Sequence, residues 1–207
     1  MKVVGIVCSP RKKGNTEILV SHALDAAREA GADETEIILL SGKQINPCDA
    51  CGSCQKTARC HVDDDMQPIY PAMLAADGII IGTPVYFWSV TAQAKLLIDR
   101  TSCWTQGHRA MVRDSGKALS GPRIEGLRNK VGGTIAVTHR AGGTEAVRLL
   151  SDFFRLHRML EAGAAIAYGN EKGEVRQDEQ GMQEAWWVGR AVVRKIRLLH
   201  ASSERSG

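Results

Sequence analysis

Long apolar runs are missing from this 207-residue sequence. A helix that crosses a membrane needs about 20 predominantly apolar residues, and no segment approaches that length. The apolar start, Met1–Cys8, is too short for a secretion signal and stops at Ser9-Pro10-Arg11. These absences predict a cytoplasmic protein with no membrane partner.

Two phosphate-binding motifs are also absent, since the sequence contains neither G-x-G-x-x-G nor G-x-x-x-x-G-K. Basic residues exceed acidic ones by only 27 to 23 and are not clustered, so no nucleic-acid partner is expected. No internal repeat or linker interrupts the chain. We therefore predict one domain over residues 1–200, followed by a disordered tail over residues 201–207.

Cysteine, in contrast, is concentrated, because four of the six cysteines fall within thirteen residues. The spacing C-x2-C-x2-C lets a short loop turn three sulfurs toward one centre, and a fourth after five residues can complete the set, as in a [4Fe–4S] cluster. The candidate metal ligands are Cys48, Cys51, Cys54 and Cys60, in a loop over residues 47–65.

Three other interpretations of this loop stay open. A zinc site usually takes two C-x2-C pairs that are separated by a dozen or more residues, which this loop lacks. A disulfide needs an oxidising compartment, to which nothing directs the chain. A loop that holds no metal is the third. The spacing favours the cluster. Cys8 ends a buried strand, and Cys103 has no neighbouring thiol in the sequence.

Strands and helices are predicted to alternate along the chain. Predicted strands are Val3–Cys8, Glu36–Leu40, Gly78–Gly82, Lys130–Thr138 and Ala164–Tyr168, and predicted helices are Thr16–Ala30, Ile69–Ala76, Thr91–Arg100, Gly143–Leu160 and Gln180–His200. This order predicts an open, doubly wound parallel sheet of five strands with the order 2-1-3-4-5. A ligand would bind at the carboxyl edge, where the strand order reverses.

The first loop at that edge joins strand 1 to the first helix. Its hydroxyl, amide and cationic side chains meet the free N–H groups of a helix N-terminus, which suits a phosphate. A solvated turn with a simple N-cap is the alternative. The candidate phosphate-binding residues are Ser9, Arg11, Lys12, Asn15 and Thr16.

The second loop, Thr83–Trp88, follows strand 3 and carries three aromatic residues in a row. Such residues suit the edge and face of a flat ring system, or alternatively a contact between subunits. The third loop, Thr138–Glu145, follows strand 4. Its paired Gly142 and Gly143 would let backbone N–H groups approach a ligand beside Arg140, or would simply begin a helix. A phosphate site, an aromatic shelf and a glycine loop at one edge together indicate flavin mononucleotide (FMN).

The sequence resembles the iron–sulfur flavoprotein family, within the NAD(P)H-dependent FMN reductase branch of flavodoxin-like proteins. The similarity covers residues 1–101 densely and 129–168 loosely. The matching segments are Gly5–Lys12 with Asn15-Thr16, the four loop cysteines with Asp63–Met66, Ala75–Ile80, and Pro84–Tyr86 with Lys95 and Ile98–Arg100.

The resemblance implies a residue-by-residue assignment. Ser9, Arg11, Asn15 and Thr16 would hold the FMN phosphate, Pro84, Val85, Tyr86 and Phe87 would lie along the isoalloxazine, and Arg140, Gly142 and Gly143 would close its other side. The four loop cysteines would bind a [4Fe–4S] cluster. The resemblance also implies a homodimer or homotetramer. In this chain His61, beside Cys60, could compete for metal.

These features predict an oxidoreductase that transfers electrons between a [4Fe–4S] cluster and FMN. It would link a one-electron donor such as ferredoxin to a two-electron acceptor, with no side chain as nucleophile. One alternative is a clusterless reductase of FMN or quinones with NAD(P)H as donor. The other is a flavodoxin-like electron carrier without turnover.

The segment 101–128 is longer than the resemblance leads us to expect. It contains Cys103, Trp104 and His108 among Gly, Ser and Lys residues. This composition is more typical of a mobile lid than of a core element.

Overall fold

The computed structural model describes residues 1–105 and 126–204. It contains a five-stranded parallel sheet with the order β2-β1-β3-β4-β5, which confirms the predicted flavodoxin-like arrangement. The strands are β1 Lys2–Val7, β2 Glu34–Leu39, β3 Gly78–Pro84, β4 Val131–Thr138 and β5 Leu160–Tyr168. The helices are α1 Asn15–Glu29, α2 Cys54–Thr57, α3 Ile69–Ala75, α4 Ala92–Arg100, α5 Gly143–Leu156 and α6 Glu179–Glu204.

Helices cover both faces of the sheet and create two hydrophobic cores. On one face, α1 and α6 contribute residues such as Val20 and Val192. On the other, α3 and α4 contribute residues such as Met73 and Leu97. A strand such as β3 is buried on both sides, which explains why its sequence is a continuous apolar run.

The close contact between α1 and α6 depends on one glycine. A Cβ atom at Gly189 would lie 2.0 Å from the carbonyl oxygen of Ala23. No side chain fits there, so glycine allows the two helix backbones to touch and to close the core beneath them.

Two element boundaries differ from the predictions. The helix α5 ends at Leu156 rather than Leu160, because Arg158 adopts a left-handed backbone with φ of 56° and β5 already begins at Leu160. The helix α6 continues to Glu204, into the segment 201–207 that the sequence predicts as a tail.

The segment 101–128 is described only at its two ends. Cys103 and Trp104 are buried in the core on the α3 and α4 side, together with Leu127, and residues 102–105 are helical. The prediction that Cys103 and Trp104 belong to a mobile lid is therefore wrong. His108 lies outside the described residues.

Within residues 1–105 and 126–204, none of the helices combines the length and the apolarity that crossing a membrane requires.

Candidate functional site

A cleft opens at the carboxyl edge of the sheet, beside β1 and β3. These strands are neighbours, but the connections that leave them run to opposite sides, so the cleft lies at the switch point where such sheets bind ligands. The lining residues are Ser9, Arg11, Gly14, Asn15, Thr16, Pro84, Val85, Tyr86, Val137, His139, Gly169, Asn170 and Lys172.

The N-terminus of α1 supplies the anion-binding chemistry of this cleft. Its cap residue is Gly14, and no described side chain caps the helix. The first-turn N–H groups therefore keep their capacity to bind an anion, and the positive end of the helix dipole adds to it. The hydroxyls of Ser9 and Thr16 lie beside this terminus, and both residues are buried.

The side chain of Asn15 is occupied by a different part of the chain. Its Nδ2 donates to the carbonyl of Glu171 (2.8 Å), and its Oδ1 accepts from the N–H of Gly173 (2.7 Å). Arg11 makes a parallel contact, because its Nη1 donates to the carbonyl of Asn170 (3.1 Å). Both side chains thus hold the turn that follows β5 against the first loop.

That turn is a part of the cleft that the sequence patterns did not predict. Gly169, Asn170 and Lys172 line the cleft, and Lys172 brings a cation to it. The sequence does contain an indication of this turn. The turn follows β5, and the carboxyl ends of parallel strands share one edge of the sheet. His139, at the end of β4, lines the cleft as well.

Lys12 is not brought into the cleft. Its Nζ lies about 4.0 Å from where a Cβ of Gly42 would stand, beside the loop that follows β2. Lys12 therefore points toward the neighbouring loop, and Arg11 is the cation of the first loop that lines the cleft.

The second loop forms a tight hairpin. Tyr86 and Ser89 exchange backbone hydrogen bonds (2.9 and 3.1 Å), and Phe87 and Trp88 between them both adopt left-handed backbones with φ of 50° and 60°. Bulky residues rarely adopt this conformation, so the hairpin carries strain. Phe87 is 94% exposed and Trp88 is 61% exposed.

The hairpin divides the predicted ring-binding residues. Pro84, Val85 and Tyr86 line the cleft, whereas Phe87 points into solvent at the tip. Thr91 fixes the return of the loop, since its Oγ1 donates to the carbonyl of Cys8 (2.5 Å) and accepts from the N–H of Ala94 (3.2 Å). The first and second loops are thereby tied together.

The predicted residues of the third loop also lie in different places. Gly142 adopts φ of 86°, and a Cβ there would lie 2.7 Å from Val85 Cγ1 and 2.8 Å from Trp88 Cα. Gly142 therefore supports the hairpin. A Cβ at Gly143 would instead meet Ile166, which places Gly143 against β5. Arg140 is exposed and does not line the cleft.

The cysteine loop lies between β2 and α3 and forms a second cavity. Cys48, Cys51, Cys54 and Cys60 all line it, which brings the four predicted ligands to one place. Burial, followed by the nearby sulfurs of the other three, raises the pKa of the Cys54 thiol. Four thiols at one cavity match the donor set of one metal centre.

Cys103 lies at the same cavity, although no pattern in the sequence pairs it with the loop. Burial raises the pKa of its thiol to about 12, with further contributions from Cys60 and Cys54. Cys103 is far from the cysteine loop along the chain and belongs to the core, so the spacing of the cysteines does not predict that it reaches this cavity.

A smaller group of possible metal ligands occupies the exposed rim of this cavity. The ligand atoms of Asp49, Cys51 and His61 lie within 4.8 Å of one another. His61 therefore lies with two groups that a divalent ion such as zinc could use as ligands.

Both cofactors that the sequence implies fit the residues present. An uncapped helix N-terminus, buried hydroxyls and two cations, Arg11 and Lys172, suit a phosphate at one end of the cleft, and Pro84, Val85 and Tyr86 offer an apolar edge at the other. The second cavity offers four thiols and, from Arg100, a buried guanidinium whose Nε has no described partner.

Comparisons with known proteins agree with this geometry. Residues 1–173 match the family described as NADPH-dependent FMN reductase. An iron-sulfur flavoprotein of Methanocaldococcus jannaschii is 37% identical, with 96% of this chain and 99% of that protein covered. An iron-sulfur flavoprotein of Methanosarcina thermophila is 33% identical, with 99% of this chain and 100% of that protein covered.

Among solved structures, the chain is similar to an NAD(P)H:quinone oxidoreductase from Methanothermobacter marburgensis. The TM-score is 0.67 at 18% identity, and 92% of this chain and 96% of that chain are covered. At this identity the likeness concerns the fold.

Proposed function

The chain belongs to the NADPH-dependent FMN reductase family and is related to its iron–sulfur flavoproteins, and from this premise we propose that it transfers electrons between a [4Fe–4S] cluster and FMN. It is an oxidoreductase with a flavoprotein redox role. In the proposed reaction it links a one-electron donor such as ferredoxin to a two-electron acceptor.

The observation that carries the proposal is the convergence of Cys48, Cys51, Cys54 and Cys60 on one cavity. A clusterless reductase has no need for four thiols in one place. Ionised thiols that lie close together repel one another. Binding to iron removes this repulsion, because each thiolate then shares its charge with the metal.

For FMN, the proposed phosphate ligands are the first-turn N–H groups of α1, together with Ser9, Thr16 and Arg11. Asn15 and Lys172 complete this end of the cleft, Asn15 by positioning the turn that follows β5. The isoalloxazine would lie along Pro84, Val85 and Tyr86.

The other predicted residues receive indirect roles in this proposal. Gly142 would support the hairpin, and Gly143 would begin α5. Phe87 and Arg140, both exposed, would contact a second subunit or a redox partner, which accords with the homodimer or homotetramer that we propose.

When bound, FMN exchanges one or two electrons and the cluster exchanges one, which is the chemistry that joins the two kinds of partner. The contribution of the chain is to bind and orient. The α1 terminus and Arg11 hold an anion, the hairpin presents an apolar edge, and the cysteine loop keeps four sulfurs at one cavity.

Anaerobic purification tests this function directly. Equal amounts of FMN and of a four-iron, four-sulfide centre per chain, measured by iron, sulfide and flavin assays with a visible spectrum, are the expected result. Stoichiometric zinc, or no metal with FMN intact, would refute the cluster.

A clusterless FMN or quinone reductase that uses NAD(P)H is the second candidate, favoured by the family match and by the fold of the quinone oxidoreductase. In that case turnover with NAD(P)H and a quinone should survive Cys51→Ser and Cys54→Ser. A non-enzymatic electron carrier would show reversible reduction without consumption of a donor.

A further inference from the structure

Arg100, the last residue of α4, is a buried cation at the cysteine cavity. It is 1% exposed. Its Nη1 and Nη2 donate to the two carboxylate oxygens of Asp64 (2.5 and 3.1 Å), and both nitrogens also reach backbone carbonyls, those of Asn46 (2.9 Å) and Val62 (3.3 Å). The guanidinium is therefore held in one orientation by the cysteine loop itself.

The third nitrogen of this guanidinium, Nε, makes none of these hydrogen bonds. The Nε of Arg100 is buried and has no hydrogen-bond partner among the described residues. An unpaired buried donor on a charged group is costly, and native structures rarely keep one without a reason. The side chain lines the cavity that the cysteines share, so a ligand of that cavity is the partner it lacks.

Cys60 lines the same cavity as Arg100 and is the thiol whose charge acts on this guanidinium. Burial lowers the pKa of Arg100 and is the largest single effect, but the hydrogen bond to Asp64 together with the influence of Tyr70 and Cys60 raises the pKa above its ordinary value. A neutral thiol is a weak acceptor, whereas a thiolate is a strong one.

The positive end of the Arg100–Asp64 pair faces the cavity. Arg100 lines the cavity and Asp64 does not, although Asp64 is equally buried behind it, with a side chain 4% exposed. Among the described residues of the lining, Arg100 is the permanent cation and Asp49 is the carboxylate, on the exposed rim.

We propose that Arg100 donates its Nε–H to the sulfur of Cys60 and that its charge raises the reduction potential of the cluster held by the four loop cysteines. This inference rests on the proposed function, because it needs the cluster. Arg100 is a positioning and tuning residue and does not ligate iron.

The physical reason is electrostatic. Reduction adds one negative charge to a centre that already carries four thiolates, and a fixed cation in a buried site favours the more negative state. A hydrogen bond to a ligating sulfur acts in the same direction, since it withdraws electron density from the iron. The negative charge of Asp64 weakens the effect of the Arg100 charge on the cluster, but its hydrogen bonds keep the guanidinium in one orientation.

Two substitutions separate charge from geometry. In Arg100→Met the charge and the donor are lost, and we expect the reduction equilibrium to become at least about tenfold less favourable, a fall of about 59 mV for a one-electron couple. Arg100→Lys keeps the charge but loses the Nε donor, and we expect a smaller fall. Arg28→Met is the matched control, because Arg28 is exposed and pairs with Asp25.

Arg100→Met leaves the buried carboxylate of Asp64 without its counter-ion, which is strongly destabilising. The double variant Arg100→Met with Asp64→Asn removes both charges, so mainly the loss of the Nε–H donor remains, and a smaller fall in the same direction is expected in it. Flavin content and circular dichroism verify the fold of each variant.

The measurements are the cluster midpoint potential, by anaerobic redox titration followed by electron paramagnetic resonance, and the iron–sulfur stretching frequencies, by resonance Raman spectroscopy. Equal potentials and frequencies in the wild-type protein and in both the Lys and the double variants would overturn the inference about Arg100 alone. Absence of iron and sulfide from the wild-type protein would overturn the proposed function instead.

Discussion

Asn15, in the first turn of α1, accepts a hydrogen bond from the backbone N–H of Gly173, which lies 158 positions further along the chain (2.7 Å). The same amide donates to the carbonyl of Glu171 (2.8 Å). One side chain therefore fastens the turn after β5 to the loop after β1. The two segments form one wall of the cleft, so the geometry of an anion bound there depends on a lining residue whose side-chain amide is already occupied by the turn after β5.

Asn15→Ala should weaken FMN binding by about tenfold or more, because the turn that carries Asn170 and Lys172 loses both of its hydrogen bonds to Asn15. Arg11→Ala should weaken it comparably, because it removes a charge-assisted contact worth about 1.5–3 kcal/mol. Fluorescence titration of the flavin-free protein measures both affinities. Lys12→Ala, whose side chain points toward Gly42, should have a clearly smaller effect. Unchanged affinity in both Asn15→Ala and Arg11→Ala contradicts the assignment of this loop.

Gly142→Ala should destabilise the hairpin that carries Tyr86. The new Cβ would lie 2.8 Å from the Cα of Trp88, and φ of 86° is unfavourable for alanine. We expect a loss of more than about 1 kcal/mol in unfolding free energy and weaker FMN binding. Gly163→Ala is the control, because nothing lies within 4 Å of its Cβ, and it should change stability by less than about 0.5 kcal/mol. Equal effects at the two glycines would argue against the close contact.

Replacing any one of Cys48, Cys51, Cys54 or Cys60 by serine should remove or convert the cluster while FMN stays bound. The two sites lie in different loops, so loss of one should not empty the other. Iron, sulfide and flavin assays on anaerobically prepared protein check the result.

Cys8→Ser and Cys103→Ala are the controls for the cysteine series. Both residues are buried thiols, but neither belongs to the loop that supplies four ligands. Cys103→Ala is the stricter control, because Cys103 lines the same cavity. A cluster that persists in the Cys54→Ser protein but disappears in Cys103→Ala would show that the ligand set is wrong.

His157 should make stability fall in mild acid. Burial lowers the pKa of its imidazole to about 4, and its Nε2 is hydrogen-bonded to Thr101 (3.0 Å). An unfolded histidine titrates near 6.5, so between about pH 6.5 and pH 4 the unfolded chain binds the extra proton. The contribution of His157 is therefore complete above that window and is lost as the pH falls through it.

The size of this effect is about 2 kcal/mol of unfolding free energy between pH 7 and pH 5. Urea denaturation at both pH values measures it, and His157→Gln should reduce the difference by about that amount. His22→Gln, a change to a partly exposed ring on α1, should leave the difference unaltered. A pH dependence that is the same in wild-type and His157→Gln protein rules out this role.

Much of this protein could be predicted from its sequence because the relevant information is local. Five strands that alternate with helices specify a doubly wound sheet, since the central strands β1, β3 and β4 are buried on both faces and each connection must cross a face. The cysteine spacing likewise predicts convergence, because thiols separated by only two intervening residues share one short loop. Ser9, Arg11 and Tyr86 were assigned from their positions after strands, and the cleft contains them.

The remaining features were decided only by the tertiary structure. Periodicity does not reveal that Phe87 turns outward while Tyr86 faces the cleft, or that Gly143 packs on β5 while Gly142 supports the hairpin. Nor does it bring Asn15 to Gly173, or Arg100 and Cys103 to the cysteine cavity. These contacts join residues that are far apart in the chain. They exist because packing the helices on the sheet brings separate loops to one edge, where the direction of each side chain depends on its neighbours in space.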